Sequence, residues 1–280
     1  MISQLRVFLG IQNLQLPLSI YSLGSTLNEK SKLLLNSAQY FAAFMLSVIF
    51  GVLIYYTNTV DEIVPTVILS VLWILFWKNT DEKGRIFLVI ASVFGYVHEI
   101  LGVRYGYFTY LGGFIGGSPI WLIPGYGTIF WSSHNLWKNF ERKYSKEQWF
   151  HYSNYFVAIS LAALFAIDYI VFDLSTDLAG ILIKFALAFM LFRTLNGFRL
   201  AYFVGFFTVL TELSGELLGT WSHPDFSLLS LMAGYVFLLW VCLTINDLSK
   251  GRSGRNTKES AAAAVLTTFY ILSLLGLISV

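Results

Sequence analysis

The sequence predicts an all-α, polytopic integral membrane helix bundle of about nine transmembrane helices. Three observations carry that expectation. Of the 280 residues only 12% are charged and 56% are hydrophobic, against roughly 25% charged in soluble domains. The apolar residues gather into stretches near the ~20 residues that cross ~30 Å of hydrocarbon. The basic residues collect in alternate connections, which puts nearly all of them on one side of a membrane.

Taken in order, the expected spans are 33–56, 62–77, 85–102, 116–134, 151–170, 178–195, 198–218, 228–246 and 261–279. Residues 1–32 read as an interfacial segment, because Gln12, Asn13, Gln15 and Pro17 interrupt the apolar run from Leu5 to Leu23. If that run spans, the count becomes ten. It has neither a clear basic start nor a small-residue cleavage site, so removal as a signal peptide is not expected. Residues 33–134 form a first membrane repeat, 135–150 a cytoplasmic connection, 151–247 a second repeat, and 248–280 a basic loop with the final helix.

Charge placement orients this bundle in a cell membrane. Arg6, Lys30 and Lys32 precede the first span, and Lys78, Lys83 and Arg85 surround the second connection. Lys138, Arg142, Lys143 and Lys146 fill the fourth, Arg193 and Arg199 flank the sixth, and Lys250, Arg252, Arg255 and Lys258 fill the eighth. The opposite connections carry only Arg104. The N-terminus and the basic loops are therefore expected in the cytoplasm. A net charge of +2, with no basic tract attached to a recognition motif, gives no reason to expect nucleic acid. Cys242 is the single cysteine and forms no internal disulfide.

The two halves resemble each other. HEILGVRYGYFTY around Glu99 is matched by GELLGTWSHPDFS around Glu216, each glutamate three residues before a glycine, Gly102 and Gly219. Downstream, Gly125-Tyr126 and Trp131 are echoed by Gly234-Tyr235 and Trp240. Parallel repeats of four helices plus one extra helix are expected, with Glu99 and Glu216 facing each other near the centre.

Acids inside apolar stretches are the strongest functional signal. A carboxylate at mid-membrane costs at least ~2.5 kcal/mol, so it ordinarily faces a protein interior or watery cavity. Glu99, Asp168, Glu212 and Glu216, with His98 beside the first, are the candidate catalytic residues. Glu99 alternatively reads as a hydrated helix-end residue. Glu212 and Glu216, four apart, share one helix face and call for a shared proton, a cation or donors from another helix. His98, Glu99, Glu212, Glu216, His223 and Asp225 are also ligand types that iron or manganese accepts, but no spacing among them is diagnostic and no cofactor is predicted. Lys184 either pairs with an acid or snorkels outward, and Arg104 is either an anion partner or an interfacial anchor.

From Tyr105 to Gly127, glycines and the prolines Pro119 and Pro124 predict broken helix. At membrane depth such backbone must be buried or line a cavity. Tyr107, Tyr110, Trp121 and Tyr126, with Trp221 from the second half, are the candidate wall for a long apolar ligand. The alternative is an aromatic belt at the membrane surface.

The segments EILGVRYGYFTY, GSPIWLIP and SGELLGT resemble the signature of the membrane-embedded carotenoid 1,2-hydratase family, which includes bisanhydrobacterioruberin hydratases. The matching positions are Glu99, Gly102, Gly106, Tyr107, Tyr110, Gly117, Pro119 and Pro124, with Asp168 and Asp173 a second point of similarity. The Gly-Tyr stretch is shorter here than in the family's pattern. The resemblance implies an intramembrane lyase or hydratase acting on an isoprenoid or other long-chain lipid, with membrane lipids as its surroundings. In that chemistry Glu99 or Glu216 protonates a double bond. Two other classes use the same acids: a proton- or cation-coupled transporter, and a non-catalytic assembly subunit. The apolar run of Ile86 to Phe94 and of Tyr202 to Val209 argues against a polar path through the bundle.

Overall fold

The computed structural model describes residue 38 and residues 62–172, 178–192 and 194–248; some side chains of 178–192, and those of 247 and 248, are outside that description. Seven helices lie in these residues: α1 (Ile63–Lys78), α2 (Glu82–Arg104), α3 (Leu122–Lys143), α4 (Lys146–Val171), α5 (Leu178–Phe192), α6 (Leu195–Leu218) and α7 (Leu228–Leu248). Two short strands, β1 (Thr109–Tyr110) and β2 (Trp221–Ser222), pair antiparallel.

The expectation of nine transmembrane helices is corrected. Among the described residues four helices are long and apolar enough to cross a membrane: α2, α4, α6 and α7. At 1.5 Å per residue their 21–26 residues reach about 32–39 Å, and they give the chain multi-pass membrane character. α1 has 16 residues, about 24 Å, short of the ~30 Å hydrocarbon core, and the described residues of α5 number 15. α3 is long enough, but it starts at Leu122 rather than 116 and ends in Lys138, Glu141, Arg142 and Lys143. Residues 105–121 form the broken segment instead. The polar stretch 135–150 is helical on both sides of a two-residue turn at Tyr144 and Ser145. The expected spans 33–56 and 261–279 and the interfacial segment 1–32 lie outside the described residues, apart from Ala38.

Among the described residues four-helix repeats are not found either. What the halves share is a way of ending one helix. α2 closes with Tyr107 N–H donating to Gly102 O and Gly106 N–H to Val103 O. α6 closes with Thr220 N–H donating to Gly215 O and Gly219 N–H to Glu216 O. Both are Schellman turns, and Gly106 (φ 73°) and Gly219 (φ 68°) supply the left-handed residue. Gly102 therefore corresponds to Gly215, not Gly219, and the acid three residues earlier is Glu212, not Glu216. The match of Glu99 with Glu216 expected from ExxG is one helical turn out of register.

The starts of α2, α4 and α6 carry side-chain caps. Asp81 accepts from Gly84 N–H and Thr194 from Gly197 N–H, while Ser145 and Gln148 form a capping box at α4. α2 packs most extensively on α3, and α6 on α7; α7 also lies along α2, α5 and α4. α4 is peripheral. Its buried residues Trp149, Ser153, Ser160, Leu164 and Asp168 make one helical stripe, while Tyr155, Ile159, Tyr169 and Ile170 stay exposed on other faces.

Asp168 ends that stripe as an inter-helix cap. Its carboxylate accepts Leu228 N–H at 2.7 Å, Leu229 N–H at 3.0 Å and Ser227 Oγ–H at 3.1 Å. It serves the first amides of α7, where no intrahelical partner exists and the helix dipole favours negative charge. Asp168→Ala leaves these donors buried and should cost about 2–4 kcal/mol, seen as a lower thermal midpoint in detergent. An unchanged midpoint would remove the cap from this account.

Candidate functional site

The matched helix ends place two acids at the same level of the bundle. Glu99 is 1% exposed and Glu212 6% exposed. After each helix the chain turns back through a strand, and pairing of Tyr110 with Trp221 across β1 and β2 joins the two turns over the acids. Bare backbone lets the aromatics in. A methyl group on Gly102 would overlap the Phe108 ring, one on Gly215 the Trp221 indole, and one on Gly95 the Tyr126 ring.

Three tyrosines connect the acids. Tyr110 Oη–H donates to Glu99 Oε2 at 2.5 Å, and Tyr126 Oη–H donates to Glu99 Oε1. The Tyr126 and Tyr235 hydroxyls stand 3.2 Å apart, and Tyr235 Oη contacts Glu212 Oε1 at 2.5 Å. The result is one unbroken chain, Tyr110–Glu99–Tyr126–Tyr235–Glu212, drawn from α2, β1, α3, α6 and α7. Burial, followed by the charge of Glu99, holds the Tyr110 phenol well above its ordinary value, so it remains a donor at neutral pH.

A cavity of about 50 Å³ adjoins this chain, lined chiefly by apolar groups including Leu69, Leu122 and Ile129 beside Tyr110, Tyr126 and Glu212. It holds a few waters or a short length of hydrocarbon. Trp121 and Trp221, with ring centroids 6.0 Å apart, close one side of it. Glu212 reaches this lining and Glu99 does not. No Lys, Arg or His lines it. Apolar walls with a few convergent polar groups are the usual form of a small-molecule site.

Of the residues singled out in the sequence, Glu99, Glu212, Tyr110, Trp121, Tyr126 and Trp221 converge here. His98 borders the site, its ring centroid 6.4 Å from that of Tyr235. Others go elsewhere. Glu216 turns to its own loop, where its carboxylate accepts His223 N–H at 3.1 Å and contacts His223 Nδ1 at 2.9 Å. Asp168 caps α7. Tyr107 is 60% exposed and sits near Tyr105, off the cavity wall. Arg104 is exposed in the last turn of α2, and Asp225 is exposed as well. The side chain of Lys184, and all of Asp173, fall outside the described residues. No group of three His, Cys, Asp or Glu placed to hold a metal occurs among the described residues, so the six candidate iron or manganese ligands do not gather there.

Tyr235, Thr208 and Thr211 were not among the expected site residues. The sequence did hold a signal for Tyr235, the Gly-Tyr pair repeated at Gly125-Tyr126 and Gly234-Tyr235. The chain matches no family model, no curated protein and no solved structure.

Two measurements probe this geometry. Gly95→Ala pushes the Tyr126 ring off Glu99 and should cost about 1–3 kcal/mol, whereas Gly234→Ala, with nothing within 4 Å of the added methyl, should be neutral or stabilising. Equal thermal midpoints for the two variants would contradict the close approach. His223 binds its proton less readily than an ordinary histidine, because burial outweighs the attraction of Glu216. The unfolded chain then holds more protons than the folded one as pH falls through the ordinary imidazole range near ~6.5, so stability is lost on acidification. Between about pH 7.5 and 5.5 the thermal midpoint should fall further for the wild type than for His223→Gln.

Proposed function

We propose that this chain is an intramembrane lyase of the hydratase type, acting on an isolated double bond of an isoprenoid or other long-chain lipid. One observation carries the reading: two carboxyl groups from separate helix ends are chained together, and one of them, Glu212, stands at the wall of an apolar, aromatic-sided cavity. Such a cavity receives a hydrocarbon terminus, while the rest of a long lipid stays in the bilayer between helices. The resemblance of the segments around Glu99 and Gly102 to carotenoid 1,2-hydratases supports the same reaction class.

The chemistry follows from the placement. Glu212, at the cavity wall, is the group positioned to give a proton to the less substituted alkene carbon, leaving a tertiary carbocation. The carboxylate charge then stabilises the cation in a site that needs little reorganisation, and the faces of Trp121 and Trp221 add cation–π attraction. Water adds through its oxygen lone pair, and the proton it sheds returns to the carboxylate. The net change is alkene plus water to tertiary alcohol. In this reading the basic ends of the helices are cytoplasmic, and the acids lie toward the opposite face.

The reading is tested with purified protein, an acyclic carotenoid carrying terminal isoprenoid double bonds, and ¹⁸O-labelled water. The expected product is the labelled tertiary alcohol. Glu212→Gln, matched for protein abundance, should lower its rate by about 10²–10⁴-fold, the usual contribution of general acid catalysis. No labelled alcohol from the wild type, or full turnover by Glu212→Gln, refutes the proposal. Proton-coupled uptake into vesicles without product would favour transport instead.

A further inference from the structure

The tyrosine chain allows the protons of the site to be counted. It contains four contacts: Tyr110 with Glu99, Tyr126 with Glu99, Tyr126 with Tyr235, and Tyr235 with Glu212. Each contact needs one proton to be a hydrogen bond. The three phenols bring three protons, because a tyrosine hydroxyl has one donor. With both acids ionised, one contact would be two oxygens facing each other without a proton, in a site where an unmade bond is costly. A carboxyl proton supplies the fourth.

We infer that Glu99 and Glu212 hold one proton between them, resting on Glu212, and that Tyr126 and Tyr235 form the relay through which the two acids exchange it. The resting place follows from the number of donors. Glu99 receives two phenols, one on each oxygen, while Glu212 meets one phenol. Glu212 has the Trp221 indole nearby, whose N–H makes no hydrogen bond among the described residues, and it otherwise borders the apolar cavity. Negative charge is held best where more donors converge. With the proton on Glu212, the bonds run in one direction: Glu212 donates to Tyr235, Tyr235 to Tyr126, and Tyr126 to Glu99, which also accepts from Tyr110. Shifting each proton one place along the chain moves the carboxyl proton to Glu99 with no heavy-atom displacement. Of the other titratable groups around the pair, Glu216 is engaged by His223, and His98 presents its ring to the edge of Tyr235.

For function the inference rests on the acid-catalyst reading and deepens it. Glu212 is the acid that meets the substrate. Glu99 is a fixed anion that holds the tyrosines in line, and Tyr235, which does not line the cavity, is a positioning residue. When Glu212 gives up its proton, both acids become carboxylates beside the new cation. The proton shed by the incoming water restores the original state.

The test needs no substrate. Infrared spectra of the purified protein at neutral pH, in H₂O and D₂O, report the C=O stretch of a protonated carboxyl apart from that of carboxylates. The wild type should show such a band, and its absence overturns the inference without recourse to any variant. Glu212→Gln should remove the band. Tyr235→Phe, which takes away the acceptor of the carboxyl proton, should shift it, and Tyr110→Phe, which leaves Glu99 and Glu212 with one phenol each, should spread the proton over both acids and broaden the band. A band that survives Glu212→Gln, or stays unmoved in Tyr235→Phe, overturns the assignment to Glu212. A band that behaves as expected in a protein that hydrates no alkene upholds the shared proton and removes the lyase reading. Hydration by a protein lacking the band does the reverse.

Discussion

Two carboxyl groups buried in an apolar helix bundle must be given hydrogen bonds, and the tyrosine chain that meets this requirement organises the site. A buried polar group without a partner costs more than a made hydrogen bond returns, and lipid offers no water to substitute. The five members of the chain come from α2, β1, α3, α6 and α7, so satisfying the acids requires these elements to lie in one arrangement. The glycines follow from the same demand. Gly95, Gly102 and Gly215 lie where an aromatic ring has to approach helix backbone more closely than any side chain would allow.

The acids of this chain meet that requirement in three ways, and the differences separate scaffold from chemistry. Asp168 is consumed by the first amides of α7 and Ser227, all of its contacts serving to anchor one helix on another. Glu216 folds back on the backbone and ring of His223 and holds the loop after α6. Glu99 and Glu212 are answered by phenols rather than by backbone amides. A phenol both donates and accepts, so it passes a proton on, whereas an amide N–H only donates. That distinction gives the pair hydroxyl links to each other, whereas Asp168 is a cap.

The cavity beside the pair is small, apolar and aromatic-sided, and it admits the end of a hydrocarbon chain more readily than a charged solute. Its position against α1, α3 and α6, with β1 and β2 over the acids, leaves only one of the two carboxyls in contact with an occupant. Equivalence between the helix ends thus breaks at the cavity. The two acids share a local geometry, yet one borders the space where a ligand fits and the other is enclosed by donors.

Membrane character, the all-α class and a break in the helices after Tyr105 were readable from residue order alone, although the expected break ran to Gly127 and the helix resumes at Leu122. Each depends on a local property: apolar run length, or glycine and proline placement. Among the described residues run length overestimated the number of spans, because it cannot distinguish α1, which is too short, or α3, which ends in charges, from helices that cross. Register was lost in the same way. ExxG occurs twice in succession at Glu212 and Glu216, and only the Schellman turn at Gly219 shows that Gly215 is the partner of Gly102. Which acids meet was decided by tertiary structure alone, since Tyr235 lies 109 residues beyond Tyr126 in the chain and nothing local announces their contact. Residue order determined that carboxyls would be buried; packing of α7 against α2 and α6 determined which hydroxyls would answer them.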